Sequence, residues 1–256
     1  MYPTLFSIGR LSVQTYTVVL DLGLILGLVL VYVAGRRAQF TGETAVEAGL
    51  WAVVAGIVAG RIGYVVVNWA AFQDDPLRIV RVWEGGLSFH AGFLGGFLAL
   101  LILAWLRGYD TATWWRLVDV LTLGVAVAVV FGWAACLLAG CAYGAVGEGM
   151  GYLVLPDLYG VAASRFATQL AGMFYGLLLL VGVLLLRDRS PFPGAAFLLY
   201  VMLYFAGHFF LGFARGDEAV YAGPWRLGQV IDLVFVLVAA VMLLVLWWLA
   251  RQPGGD

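Results

Sequence analysis

The chain has 256 residues, of which 64% are hydrophobic and 11% charged, with a formal net charge of −1 and a mean hydropathy of +0.99. A soluble domain of this length cannot hide so much apolar surface, so the bilayer is the solvent for most of it. The near-zero charge excludes a nucleic-acid partner, which needs a basic stripe. All fourteen cations are arginine. A GC-rich genome accounts for most of that bias, although arginine is also the better phosphate clamp, being planar, permanently charged and bidentate.

Seven apolar segments are long enough to cross a bilayer, which takes about 20 residues. They run at roughly 16–35, 45–67, 89–106, 117–140, 169–186, 194–213 and 228–250. Backbone groups in lipid must be satisfied within the segment, so each is predicted to be a helix. With no repeat and no low-complexity tail, residues 1–256 are expected to form one all-α, seven-span membrane domain. The start, "MYPTLFSIGRLSVQTY", lacks the ordered parts of a cleavable signal peptide. Loops following the odd-numbered spans carry Arg36, Arg37, Arg107, Arg116, Arg187, Arg189 and Arg251, close to helix ends. The other side carries Arg10, Arg78, Arg81, Arg165, Arg215 and Arg226. The first group is placed as topology signals are, which predicts an outside N-terminus and a cytoplasmic C-terminus. The second group then suits an anionic lipid headgroup.

Ionisable residues within spans point to function, because a charge at the bilayer centre costs about 2.5–3.5 kcal/mol on insertion scales. Asp21, Asp119 and Asp232 lie in or at the edges of the first, fourth and seventh spans, where interhelical ion pairs are the structural alternative. In the second span Arg61 sits between Gly60 and Gly63, which permit close backbone approach. The stretch "VWEGGLSFHAGFLGG", 82–96, brings His90 to the mouth of the third span, six residues after Glu84. A lone histidine is more often structural, but its near-neutral reference pKa, the acid and the glycines favour a site here. Cys136 and Cys141, in "CLLAGCAYG", are five apart. That spacing puts them on different helix faces, so neither a disulfide nor a zinc pair is expected, and they read as small packing residues. In the sixth span Tyr204, His208 and Arg215 follow one another at four and seven residues, a spacing that lets them share a helix face. Tyr204 also suits an interfacial anchor.

The block "GRIGYVVVNWAAFQDDPLRIVRVWEGGLSFHAGFLGG", 60–96, closely resembles the prolipoprotein diacylglyceryl transferase family around its essential histidine. "LFSIGRLSVQTYTVVLDLG" resembles that family's first arm and span, with Tyr16 at a functional tyrosine, and "WRLGQVIDL" its final-span entry. The resemblance implies transfer of the diacylglyceryl group of phosphatidylglycerol to the lipobox cysteine thiol of a preprolipoprotein, releasing glycerol phosphate. No metal or organic cofactor is implied.

Two signature arginines differ. In "GWAACLLAGCAYG", 132–144, Trp133 takes the place of arginine and Cys136 that of an asparagine, while Gly140 and Gly144 are kept. In the sixth span the family's arginine, glutamate and arginine correspond to His208, Gly212 and Arg215. The resemblance and the residues together nominate His90 as the thiol base, with Arg215 and His208 as further catalytic groups. Arg61 and Arg226 are nominated to grip phosphate, and Glu84 to orient His90 or Arg61. Tyr16, Tyr64, Tyr204, Gly144 and Gln229 complete the expected lipid site. The alternative is a catalytically silent relative that binds lipid or serves as a subunit of a membrane complex.

Overall fold

A computed structural model describes residues 4–8, 11–38, 40–82, 85–186 and 189–252. Among the described residues, seven helices are long and apolar enough to span a membrane. They are α1 (Thr15–Arg37), α2 (Gly42–Val67), α3 (Phe89–Arg107), α4 (Thr111–Ala139), α5 (Thr168–Leu186), α6 (Ala195–Leu211) and α7 (Leu227–Leu249). Their outer faces carry Val66, Trp105, Leu185 and Leu244, all well exposed, as lipid-facing side chains are. The predicted spans agree within a few residues except at α4, which starts six residues early. There Asp110 accepts from the Thr113 N–H (2.7 Å) and hydroxyl (3.0 Å), so a segment that reads as polar punctuation is a capped first turn.

Among the described residues, three antiparallel hairpins stand outside the helices: β1–β2 (Thr4–Ile8, Leu11–Gln14), β3–β4 (Tyr152–Pro156, Ala162–Phe166) and β5–β6 (Tyr221–Ala222, Trp225–Arg226). The sequence reading expected only an arm and loops there. The turn of β3–β4 is set by Asp157, whose Oδ1 accepts from the N–H groups of Tyr159 and Val161, both at 2.9 Å.

Packing divides the chain into two units, Val31–Val118 and Met1–Leu30 with Asp119–Asp256. In the first, α2 and α3 meet along a seam of small residues. A Cβ on Gly56 would lie 3.1 Å from the Gly92 carbonyl oxygen, and one on Gly96 3.0 Å from that of Ala52. The Ser88 N–H donates to the Gly60 carbonyl (2.9 Å), so the mouth of α3 is fixed to α2 beside Arg61. In lipid such close approach replaces hydrophobic collapse as the source of helix association.

In the second unit, Asp119 of α4 caps α6. Its carboxylate accepts from the N–H groups of Gly194 (2.7 Å) and Phe197 (2.9 Å). These amides have no partner within their own helix, so an acid in the neighbouring span completes the α6 N-terminus. Asp119 is therefore a cap, not half of an ion pair, and Asp21 is exposed. Of the three acids, Asp232 alone meets the expectation of an interhelical pair.

Valine at position 92 has no room against α2. Gly92→Val is expected to lower the thermal midpoint of the detergent-solubilised protein, at a cost of about 1–3 kcal/mol. An unchanged midpoint would mean that the seam tolerates separation.

Candidate functional site

In the first unit, Arg61 is 6% exposed and its guanidinium is spent on backbone. Nε donates to the Ile79 carbonyl (2.9 Å), Nη1 to Gly85 (2.6 Å) and Gly86 (3.0 Å), and Nη2 to Arg78 (2.5 Å) and Arg81 (3.3 Å). Five N–H groups meet five carbonyls, which is all an arginine has. The Phe72 ring covers the cation at 5.2 Å and Tyr64 lies at 6.0 Å. Gly86 has φ +79, and a Cβ there would lie 2.6 Å from the Tyr64 ring and 2.8 Å from Arg61 Nη1. Arg61 was expected to grip phosphate; in the structure its donors face loop carbonyls instead. The residue holds the loop that leads into α3, and Tyr64 packs beside it. His90 occupies the first turn of α3, whose N-cap Ser88 accepts from the Ala91 N–H at 3.4 Å. Glu84 lies outside the described residues.

In the second unit, backbone brings several expected residues together. Gly144 and Arg215 form an antiparallel bridge, flanked by Ala145 N–H to the Ala214 carbonyl (2.9 Å) and Gly216 N–H to the Tyr143 carbonyl (2.8 Å). A side chain on Gly144 would strike the Phe166 carbonyl, so the position takes glycine alone. Arg215 binds both carboxylate oxygens of Asp217, through Nε at 2.8 Å and through Nη2. Arg226, nearly buried, reaches the same carboxylate at 3.0 Å and the carbonyls of Arg215 (2.8 Å) and Asp217 (3.0 Å). Burial opposes charge on Arg215, but the bond to Asp217 outweighs it and holds the guanidinium pKa above its usual range. Gln229 ties the cluster to the helices, accepting from the Arg226 N–H (3.0 Å) and donating to the Phe209 carbonyl (3.0 Å). Its side chain occupies the space beside Gly212, where a Cβ would lie 2.7 Å from Gln229 Cγ.

Next to this cluster is a cavity of about 340 Å³ lined by Trp133, Phe166, Tyr175, Tyr204, His208 and Ala214, among others. Tyr204 stacks on His208 at 5.9 Å, and the Trp133 ring centre lies 6.1 Å from that of His208. His208 Nδ1 lies 2.7 Å from Oδ2 of Asp232, which is fully buried. Tyr16 is half-buried in the first turn of α1.

The structure overturns the cysteine expectation. Cys136 and Cys141 form a disulfide, with Cα atoms 4.7 Å apart. The helix-face argument fails because α4 stops at Ala139 and Gly140 has φ +78, so Cys141 lies on the chain as it folds back. Gln169 and Thr168 fasten that return, donating to the carbonyls of Cys141 (2.9 Å) and Ala142 (2.6 Å). The sequence reading also missed Asp217, which bridges two arginines of the expected site. Its position between them in "RGDEAVYAGPWR" is the only signal the sequence offers.

Seven apolar helices among the described residues, with short hairpins between them, define a multi-pass membrane protein. The family model described as prolipoprotein diacylglyceryl transferase matches residues 3–245, and the chain belongs to that family. A phosphatidylglycerol–prolipoprotein diacylglyceryl transferase of Bacillus licheniformis is 29% identical over 248 residues, covering 94% of this chain and 91% of its own. Relatives of the same name from Halalkalibacterium halodurans (27%, covering 96% and 86%) and Lactobacillus delbrueckii subsp. bulgaricus (28%, covering 95% and 90%) are also similar. The protein is accordingly a multi-pass bacterial membrane protein.

Lysine cannot reproduce five divergent bonds from a planar fork. Arg61→Lys is expected to speed tryptic cutting at Arg78 and Arg81. The increase should be roughly tenfold if about 1.5 kcal/mol of loop closure is lost. Cleavage at the wild-type rate would show that the loop is held by other contacts.

Proposed function

We propose that the protein transfers the diacylglyceryl group of phosphatidylglycerol to the lipobox cysteine thiol of a preprolipoprotein, releasing glycerol phosphate. The observation that carries this reading is the family match across residues 3–245. The Arg215–Asp217–Arg226 cluster beside the cavity agrees with it. Two guanidiniums around one carboxylate retain a net positive charge for a phosphodiester, and both are already oriented by fixed acceptors. In this reading Arg215 and Arg226 face the phosphate while Tyr204 and Tyr16 hydrogen-bond the headgroup. Gly144 and Gln229 keep the cluster in shape, and Arg61 and Tyr64 act indirectly by holding the loop before α3. Glu84 is assigned to orient His90.

His90 takes the proton of the incoming thiol, whose unperturbed pKa is about 8.5. The sulfur attacks the glycerol carbon of the diacylglyceryl group and the bond from that carbon to the phosphate oxygen breaks. The electron pair leaves on glycerol phosphate. His208 supplies a cation on the phosphate side.

The proposed orientation is N-terminus outside and C-terminus cytoplasmic. The arginine distribution supports it, and so does the disulfide at the far end of α4, since such bonds persist on the oxidising side of a membrane. Cysteine probes at Asp75 and Arg189 are expected to label from opposite faces. Labelling of both from one face would overturn the topology.

Purified protein in nanodiscs, given phosphatidylglycerol and a lipobox peptide, is expected to yield a thioether-linked diacylglyceryl peptide by mass spectrometry. His90→Ala should cut turnover about 10²–10⁴-fold while the protein stays inserted. No product from the wild type, with lipid still bound, would favour the silent lipid-binding alternative. Full turnover by His90→Ala would remove that residue from the chemistry.

A further inference from the structure

Resting on that reading, we propose that Asp232 is a positioning residue for His208. It binds Nδ1 and balances the imidazolium charge, so that Nε2 delivers a proton to the phosphate oxygen as its bond to the glycerol carbon breaks. Asp232 lies on α7, is fully buried, and reaches across to α6 to meet His208 Nδ1 at 2.7 Å. An ionised carboxylate in such a place costs several kcal/mol unless a partner of opposite charge meets it in good geometry. The imidazole is that partner, and a pair that shares one charge of each sign adds no net charge to the span. A bond at Nδ1 orients the ring and directs its second nitrogen, Nε2, away from the carboxylate.

The surroundings fix the ring further. Tyr204 stacks on it, and the Trp133 ring centre stands 6.1 Å away. Aromatic faces around a cationic ring stabilise its charge as well as its position. His208 side-chain exposure is 12%, and the ring forms part of the wall of the 340 Å³ cavity. An arginine at this place could hold charge but could not give up a proton, because a guanidinium stays protonated at any pH the protein meets. A histidine can do both.

The proton balance closes without any co-reactant. Phosphatidylglycerol carries one negative charge on its phosphodiester, and breaking the carbon–oxygen bond would leave a phosphate monoester dianion. The proton taken from the thiol by one base is matched by one given to that dianion by His208, and His208 is later reprotonated from solvent. A phosphate monoester takes its last proton with a pKa of about 6, and as the carbon–oxygen bond breaks the charge developing on that oxygen draws the proton from His208.

The test uses the full chain in nanodiscs with phosphatidylglycerol and a lipobox peptide. Asp232→Asn keeps size and removes charge. It is expected to lower kcat by about 10²–10⁴-fold with KM for phosphatidylglycerol nearly unchanged. Asp232→Glu should recover part of kcat, which a purely structural role would not predict. A second readout is independent of turnover. In protein labelled with ¹⁵N-histidine, His208 should carry a proton on Nδ1 in the wild type. In Asp232→Asn it should shift towards the neutral Nε2–H tautomer, with the His90→Gln spectrum used only to assign the two rings. Wild-type kcat in Asp232→Asn, or a His208 signal that does not move, would overturn the proposal. If the wild type transfers nothing, the transferase reading fails separately. The nitrogen spectrum then decides by itself whether Asp232 governs His208.

Discussion

Hydrocarbon offers no hydrogen-bond partners, so every polar group within a span must find one inside the protein. That constraint decides where each ionisable side chain of this chain sits. Arg61 empties all five donors onto the loop before α3, and Asp119 gives both oxygens to the start of α6. Asp232 meets His208 on the adjacent helix. The same groups therefore hold the helices in register and present the site. A substitution at any of them leaves its partner stranded, which in a buried setting costs more than the bond itself was worth.

Outside the spans the rule relaxes, because water can complete a shell. There Asp217 joins Arg215 and Arg226, and backbone bridges tie them to Gly144. These arginines are not free cations waiting for lipid. Their orientation is set in advance by fixed acceptors, so little reorganisation is needed when an anion arrives. Positions without side chains matter as much. Gly172 accommodates the Trp133 indole, Gly207 the Tyr175 ring and Gly212 the Gln229 side chain, so the interior shape is drawn by pairs of absent and bulky groups.

The seven helices were legible because apolar length is a strong signal and lipid leaves the backbone one local solution. The α4 start was not, since its capped first turn carries polar residues that resemble a loop. The cysteine pair was misjudged for a related reason: helix-face geometry was applied beyond the residue where the helix ends. Arg61 was recognised as important, but its partners are carbonyls, which have no identity in the sequence. Asp217 was overlooked because its role depends on two arginines, one of them nine residues further along the chain, converging through a hairpin. The His208–Asp232 pair lay on two recognised spans, yet which acid meets which histidine is a matter of helix rotation that spacing cannot give.

The seating of Trp133 makes position 133 a coupled one. Its indole fills the space above Gly172 and lies beside His208. A larger residue at 172 would meet the ring, and a smaller one at 133 would open the wall of the cavity that Tyr175, Tyr204 and His208 share. The two positions are constrained jointly, so this part of the wall behaves as one unit rather than as separate side chains.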